Sequence, residues 1–554
     1  MVLEVLDDEG VEVVFGYPGG TIMPLYDALY GHRIRHILVR HESAAAFAAS
    51  GYARTARRPG VCIATSGPGA TNLVTGIADA MLDNVPLVAI TGQVRSMLTG
   101  TDAFQEIDIS SITQCVTKRN VIVRDVDDIA RALQAAFCVA RGPRPGPVLV
   151  DIPTDVLKAR IDTKPRRDAP NGAKRAEASF AGNALEKAIE ALREASRPVI
   201  IVGGGARWSG AVKAYREFCS LVGAPHCATL HGLGCGSPAD PKFLGMLGMH
   251  GTKRANVAVG DADCIVALGM RFDDRVTGDP RKFAPHANAV IHAEIDASEF
   301  DKNVKATIKL HGDLRATLES LNAALSRSPR RSYDTWCART LASRDALPVD
   351  ASQDGDLSAT DVLDAFFAAL PENAIVTVDV GQHQMWAAQR VMPHDETSFI
   401  SSGGLGSMGF GFPAAVGAQL AHPDRPVFCI VGDGGFQMAM AELATLRRYE
   451  LPVKILLIDN AHLGLVRQWQ QIFFSSRYSE THLPENPDFS MIVRAYNLRA
   501  EHVEAGCNLA EALRRFILEP GAALLHCSCH PHENVWPMIP SRTSVEQMIE
   551  SLPA

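Results

Sequence analysis

One stretch of this 554-residue chain sets an acid among glycines at the end of an apolar run: Val431-Gly432-Asp433-Gly434-Gly435-Phe436. The apolar run, residues 426–431, reads as a strand that delivers Asp433 to its carboxyl end, where ligands gather in open α/β sheets. The glycines let backbone N–H groups come close to anionic oxygens. A helix starting near Phe436 and running to Arg448 adds its positive N-terminal end. Phe436, Met440 and Leu443 fall on one buried face of it. A second strand, residues 453–458, carries Asp459-Asn460 to the same sheet edge. A carboxylate, an amide oxygen and a nearby backbone carbonyl are hard oxygen donors. With two phosphate oxygens and a water they complete the octahedron that Mg²⁺ requires. The pattern is that of a site for Mg²⁺ and a diphosphate.

In its strand–helix–strand setting this is the thiamine-diphosphate signature, and thiamine chemistry needs a second group far from the metal. A carboxylic acid must protonate N1′ of the aminopyrimidine, which turns the 4′-amino group into the imino base that removes the C2 proton of the thiazolium. Glu42, in Arg40-His41-Glu42-Ser43-Ala44-Ala45, is the candidate. It stands at a strand end and opens an Ala-rich helix, residues 42–54. Apolar surroundings raise a carboxyl pKa. A glutamate in a first helical turn is also explained by the helix dipole alone, so Glu42 gains its meaning only beside Asp433.

The elements that must position these acids alternate along the chain. In the first third, short β-branched runs at residues 11–15, 34–39, 61–65 and 85–91 are separated by helical patterns at 21–30, at 42–54 and, after the turn Ser66-Gly67-Pro68-Gly69, on to Leu82. Strands separated by helices imply right-handed crossovers and a mostly parallel sheet covered on both faces. A polar stretch through Thr163-Lys164-Pro165-Arg166-Arg167-Asp168 reads as a linker, and a second α/β unit opens at Pro198-Val199-Ile200-Ile201-Val202. Further linker candidates lie at 326–331 and 350–356. The last third alternates again, with strands at 375–380, 426–431 and 453–458 and a Gly-rich helix after Ser402. The fold class is α/β: three domains, at 1–160, 185–325 and 356–545, each a mostly parallel sheet flanked by helices.

Bulk properties agree with a globular enzyme. The chain is long enough for about three domains with their own cores. Hydrophobic residues make up 47% and charged residues 21%, and the net charge of −8 argues against a broad basic surface for nucleic acid or anionic membrane. No apolar run approaches the ~18 residues that span a bilayer. The start, Met1-Val2-Leu3-Glu4-Val5-Leu6-Asp7-Asp8, lacks secretory or transit features, so a cytoplasmic location is expected. The 12 cysteines are scattered in apolar segments and read as core residues, not a disulfide framework. The one cluster, Cys527-Ser528-Cys529-His530-Pro531-His532, is tighter than ordinary zinc spacing and reads as a strand end running into a loop.

Five further segments carry a resemblance: Phe15-Gly16-Tyr17-Pro18-Gly19-Gly20, Arg40-His41-Glu42, Thr65-Ser66-Gly67-Pro68-Gly69-Ala70-Thr71-Asn72, Gly100-Thr101-Asp102-Ala103-Phe104-Gln105-Glu106 and Gly381-Gln382-His383-Gln384-Met385-Trp386. Over essentially its whole length the chain resembles the catalytic large subunits of biosynthetic acetolactate synthases, also called acetohydroxyacid synthases, and within them the bacterial isozyme II type. The resemblance implies a first domain for the thiamine pyrimidine, a central FAD domain and a last domain for the diphosphate and Mg²⁺. It implies Glu42 as the N1′ acid, with Gly19, Gln105 and Met408 also at the reacting centre. Mg²⁺ would be held by Asp433, the Asn460 side chain and the His462 carbonyl. Val380, Gly381, Gln382, His383, Gly434 and Gly435 would line the diphosphate end, with Gly406, Leu463, Gly464 and Leu465 also against the cofactor. Met408 would be the large apolar residue under a cofactor bent into a V, a geometry that brings the 4′-nitrogen to C2.

FAD, by the same resemblance, would contact Arg144, Gly203-Gly204-Gly205, Gly248-Met249-His250-Gly251-Thr252, Gly269, Arg271, Asp273, Arg275, Val276, Glu294-Ile295 and Gly312-Asp313. The implied reaction has no net redox step, so the flavin reads as structural. Phe104, Gln105, Arg275 and Trp469 would face substrate. An arginine fork suits a 2-oxo acid carboxylate, and Trp469 against the extra methyl of 2-oxobutyrate would favour it over pyruvate by ~1–3 kcal/mol. The resemblance further implies that Glu42 and Asp433 meet across the interface of a homodimer or homotetramer, with a small regulatory subunit as a further partner. Four positions depart from the pattern: Ser43, Thr154, Gly435 and Leu465 stand where relatives often carry Gln, Lys, Ser and Met. The competing readings are a flavin-bearing pyruvate oxidase or 2-oxo acid decarboxylase, a glyoxylate carboligase (a family without a carboxylate at the position of Glu42), and a non-catalytic nucleotide-binding scaffold.

Overall fold

A computed structural model of the chain describes residues 1–160, 182–237, 239–327, 329–342 and 357–552. The predicted linker at 163–168 and the polar patch at 350–356 lie outside the described residues.

Among the described residues, three parallel six-stranded sheets organise the chain. The first contains β1 (Val13–Gly16), β2 (Arg35–Leu38), β3 (Gly60–Ala64), β4 (Leu87–Gln93), β5 (Arg119–Ile122) and β6 (Pro147–Pro153) in the order β2-β1-β3-β4-β6-β5. The central one contains β7 (Pro198–Val202), β8 (His226–Ala228), β9 (Phe243–Met246), β10 (Cys264–Leu268), β11 (Ala289–Glu294) and β12 (Ile308–His311), in the order β12-β11-β10-β7-β8-β9. The third contains β13 (Ile375–Val378), β14 (Phe399–Ser401), β15 (Val427–Gly432), β16 (Lys454–Asp459), β17 (Arg499–Val503) and β18 (Ala523–Ser528), in the order β14-β13-β15-β16-β18-β17. The inner strands are buried along their whole length, which is why they read as unbroken apolar runs and not as alternating ones.

Strand order decides where ligands can bind. The first and third sheets share one connectivity, reversing direction between β1 and β3 and between β13 and β15. The central sheet has the order of a dinucleotide-binding fold and reverses between β7 and β10. In each case the crevice outside the carboxyl ends at the reversal is the place where an open α/β sheet receives a ligand. The first reversal lies beside Gly19 and Thr65, the second beside Gly203 and Gly269, the third beside Gly381 and Asp433.

The first and third units are joined by the helices Glu42–Ala56 and Gly411–Ala421. Residues Ala44 to Ala49 are all buried, and a Cβ at Gly51 or Gly417 would collide with the backbone of Ala414 or Ala48 respectively. The Ala-rich sequence that reads as merely apolar is therefore a backbone-to-backbone contact. Phe47 and Phe410 close its end edge to face at 5.6 Å, a geometry worth about 0.5–1.5 kcal/mol beyond burial.

Several predicted elements shift. The helix expected from Phe436 starts three residues earlier, as Asp433–Ala439, so the acid and both glycines lie in its first turn. It does not run unbroken to Arg448: a 3₁₀ turn, Met440–Glu442, separates it from Leu443–Tyr449. The single helix expected up to Leu82 is likewise two, Pro68–Asn72 and Val74–Leu82. The helix expected directly after Ser402 begins only at Gly411, because residues 402–410 form a loop whose polar groups bond elsewhere.

Candidate active site

At the third reversal the polar side chains are densely connected. Asp433 is buried, and Asn486 Nδ2 donates both to its carboxylate (2.8 Å) and to that of Asp459 (3.1 Å). Burial and the neighbouring Asp459 both push the Asp433 carboxyl upward. Asp459, half-buried, is also bonded by His526 at 2.8 Å, and a divalent cation beside the two acids would offset their mutual repulsion. Asn460 is also buried: its Nδ2 donates to Gln382 Oε1 at 3.2 Å, and its Oδ1 accepts the His462 N–H at 3.2 Å. Gln382 is fixed in turn by donating to the Glu533 carbonyl at 2.8 Å. These oxygen donors fit Mg²⁺. Among the described residues no cluster of three or more His, Cys, Asp or Glu offers a softer site.

The expected diphosphate residues surround this group. His383 is buried with its Nε2 lacking a partner, and burial pushes its imidazole down to about 4. The other ring nitrogen bonds the Asp379 backbone, which leaves Nε2 as the ring atom open to a ligand. Gly381 and Gly432 make room for that ring, since a Cβ at either would come within 2.8 Å of His383 Cε1. A Cβ at Gly434 would meet Leu463 Cδ2 at 2.8 Å and Met408 Cε at 3.4 Å. Met408, Leu463 and Gly434 therefore meet, and a Cβ at Gly464 would strike Gln382. A Cβ at Gly435 would lie 2.7 Å from Asp379 Oδ1.

The first reversal is sparser. Glu42 heads its helix, half-buried, and Asn72 Nδ2 donates to its Oε2 at 3.0 Å. Gly69 lies against Glu42, Gly19 against Thr65, and Gly67 against Gln105. Thr21 and Thr65 hydroxyls bond at 2.9 Å. Phe104, beside Gln105, is 88% exposed. Among the described residues, the hydrogen bond of Glu42 runs to Asn72 and not to the Asp433 group.

Between the first, central and third units lies a cavity of about 840 Å³. Its wall includes Arg144, Gly204, Gly205, Met249 and His250, the run 269–276, and Glu294, Ile295 and Asp313. Val380, Gly406, Leu465 and Trp469 close it from the third unit. Gly203, Gly248, Gly251, Thr252 and Gly312 are not on that wall. Gly203 and Gly248 admit the backbones of Gly269 and Arg275, Thr252 caps the helix Lys253–Asp261, and Gly312 donates to the Glu294 carbonyl. Arg144 bonds Asp296 (2.6 Å) and Glu299 (2.7 Å). Burial pushes the Glu294 carboxyl up to about 7. At one end Arg275 lies 6.0 Å over the Trp469 ring and bonds Met249 Sδ, so two of the four expected substrate residues meet, while Phe104 and Gln105 stand at the first reversal.

Comparison with known proteins bears directly on this arrangement. The N-terminal TPP binding domain of the thiamine pyrophosphate enzymes matches residues 1–112, their central domain 185–321 and their C-terminal TPP binding domain 379–527. The chain is 48% identical over 552 residues to the acetolactate synthase isozyme 2 large subunit of Escherichia coli, covering 100% of this chain and 99% of that one. It is 42% identical to a probable acetolactate synthase large subunit of Methanocaldococcus jannaschii (100% and 95% covered) and 41% identical to the large subunit of Lactococcus lactis (99% and 95%). The chain belongs to the acetolactate synthase large-subunit family. As a member of that family it is a thiamine pyrophosphate enzyme, thiamine pyrophosphate being another name for thiamine diphosphate.

Three residues in this acetolactate synthase family member escaped the sequence reading. Asp379 is fully buried, and its carboxylate accepts N–H bonds from Val380, Gly409 and Gly411 at 2.7–3.0 Å. It anchors the far side of the Met408 loop, and burial pushes it up to about 6. Asn486 bridges the two acids from a segment with no motif of its own. Glu106 receives the N–H groups of Gly100, Thr101 and Ala103 and so shapes the loop of Phe104 and Gln105. Asp379 had a signal, a charged residue directly after an apolar strand, and Glu106 closes the segment Gly100–Glu106 that carries the resemblance; Asn486 had none.

Proposed function

We propose that this chain is the catalytic subunit of an acetolactate synthase. It decarboxylates pyruvate and joins the two-carbon unit to a second pyruvate, giving 2-acetolactate, or to 2-oxobutyrate, giving 2-aceto-2-hydroxybutyrate. Both are early intermediates of branched-chain amino-acid synthesis. The observation that carries the reading is the pair of matching sheet reversals, one holding Glu42 and the other Asp433, Asn460 and Gln382, in a chain aligned end to end with acetolactate synthase large subunits.

Thiamine diphosphate, when bound, supplies the nucleophilic carbon and the electron sink for loss of CO₂ from a 2-oxo acid. Asp433, the Asn460 amide oxygen and the His462 carbonyl hold Mg²⁺. Gly381, Gln382, His383, Gly434 and Gly435 take the diphosphate, with Leu463, Gly464 and Leu465 closing over it. Met408 would pack against the cofactor and keep water out. Glu42, from a second copy of the chain, holds a proton at pyrimidine N1′, beside Gly19 and Gln105. Arg275 binds the acceptor carboxylate and Trp469 packs on its alkyl group, with Phe104 brought in from the second copy. The residues lining the 840 Å³ cavity would hold FAD as a structural group. The protein works in the cytoplasm as a homodimer or homotetramer, with a small regulatory subunit as partner.

Pyruvate turnover with each cofactor omitted in turn tests the reading. Acetolactate should form only with thiamine diphosphate and Mg²⁺ present, without any electron acceptor. Acetate formation coupled to an acceptor would instead identify a pyruvate oxidase, and turnover without thiamine diphosphate would overturn the reading altogether.

A further inference from the structure

Three separate parts of the chain meet in a buried charged knot that the proposed reaction does not use. Arg54 comes from the helix Glu42–Ala56, Asp79 and Asp83 from Val74–Leu82 and its C-cap, and His231 from a turn of the central unit. The side chains of Asp79 and Asp83 are wholly buried and that of Arg54 is 6% exposed. Arg54 and His231 bond Asp83 at 2.7 and 2.8 Å.

The remaining acceptors on these acids are taken by the loop 402–407. The Ser402 hydroxyl donates to Asp79, and so does that of Ser407 at 3.0 Å. The N–H groups of Gly403 and Gly404 donate to Asp83 at 3.2 and 2.6 Å. The Ser402 oxygen also accepts the N–H groups of Gly406 (3.1 Å) and Ser407 (2.9 Å). Met408 follows directly, and just beyond it Asp379 takes Gly409 and Gly411. Met408 is thus clamped from both sides by buried carboxylates. The clamp has little slack: a Cβ at Gly403 would collide with His231, and one at Gly404 would lie 2.6 Å from Asp83 Oδ1. Burial and Asp83 push the Asp79 carboxyl up, while His231 and Arg54 outweigh burial at Asp83 and hold it low. The same groups form part of the cavity wall, which includes Arg54, Asp83, His231, Ser402 and Gly404.

We infer that Asp79 and Asp83 are positioning residues that tie the seating of Met408 to the occupant of the 840 Å³ cavity. A ligand filling that cavity presses on Arg54, His231 and Gly404, and these share their carboxylates with the loop that ends in Met408. This gives a flavin with no redox step a route by which to act on the reacting centre. The inference rests on the functional reading above for the identities of both cofactors.

The test uses Ser402→Ala and, as a milder second variant, Ser407→Ala, each of which unties the loop while leaving the Arg54–Asp83–His231 ion pairs intact. Flavin content is read from absorbance, thiamine-diphosphate binding from quenching of tryptophan fluorescence, and kcat and KM from pyruvate turnover. Ser402→Ala should retain flavin and pyruvate KM. It should lose about tenfold in kcat and in thiamine-diphosphate affinity, the size expected for one buried donor to a carboxylate, and Ser407→Ala should shift the same quantities less. Wild-type protein stripped of flavin should show the same loss, and Ser402→Ala stripped of flavin should lose no more than either alone. Wild-type values in both variants, or losses that multiply, would overturn the inference and leave the functional reading standing. Wild-type protein that binds no thiamine diphosphate would overturn both.

Discussion

The first and third sheets have one connectivity and opposite chemistry. At the first, a single carboxylate with one side-chain partner, Asn72, heads a helix of buried alanines. At the third, Asp433, Asp459, Asn460, Asn486 and Gln382 are knitted together by hydrogen bonds. Shared topology fixes only where a ligand sits. What the crevice holds follows from how many polar groups it keeps out of water and whether they satisfy one another. On the proposed reading Glu42 needs few fixed partners, because its task would be to share a proton. On the same reading Asp433 and Asn460 would need many, because a small hard cation tolerates little error in ligand geometry.

Substitutions at the two reversals should break this comparison in different ways. The largest effect is expected at Glu42: Glu42→Gln should lower kcat about 10²–10⁴-fold, the range for a lost acid–base group, with Mg²⁺ affinity unchanged in a metal titration. Asn486→Ala should do the converse. Removing a residue that orients a ligand weakens metal binding about 10–100-fold, so activity should fall at low Mg²⁺ and recover when Mg²⁺ is raised. A smaller effect belongs to neither sheet reversal. Trp469→Leu should reduce the preference for 2-oxobutyrate over pyruvate by about tenfold, as the loss of a methyl contact allows, measured by competing the two acceptors in one assay. If Asn486→Ala instead cut kcat with no response to Mg²⁺, the division of labour between the two sheets would be wrong.

Much of this was legible in the sequence, for identifiable reasons. Strands buried on both faces appear as apolar runs, so β3, β13, β15 and β16 fall within a residue or two of their expected places. Asp433 and Asn460 were readable because each stands at the end of such a run, and Glu42 because it opens an Ala-rich helix just after a strand. The breaks at Leu73 and Met440 were not, because both segments keep a helical apolar pattern through the interruption. The loop 402–410 looked like a Gly-rich helix since its real partners, Asp79, Asp83 and Asp379, are distant in sequence. Asn486 was invisible for the same reason. The glycines at 203 and 248 were recognised as a pattern, and the structure supplies the reason they are glycine: backbone passes where a side chain would stand.

The account stands on Glu42 and Asp433 serving one cofactor from two copies of the chain, and mixed dimers test that most directly. Glu42→Gln and Asp433→Ala, each inactive alone, should regain about a quarter of wild-type activity when co-expressed, because half of the dimers are mixed and each mixed dimer rebuilds one of its two sites. Co-expressed chains as inactive as either parent, in preparations where mixed dimers are demonstrably present, would contradict it.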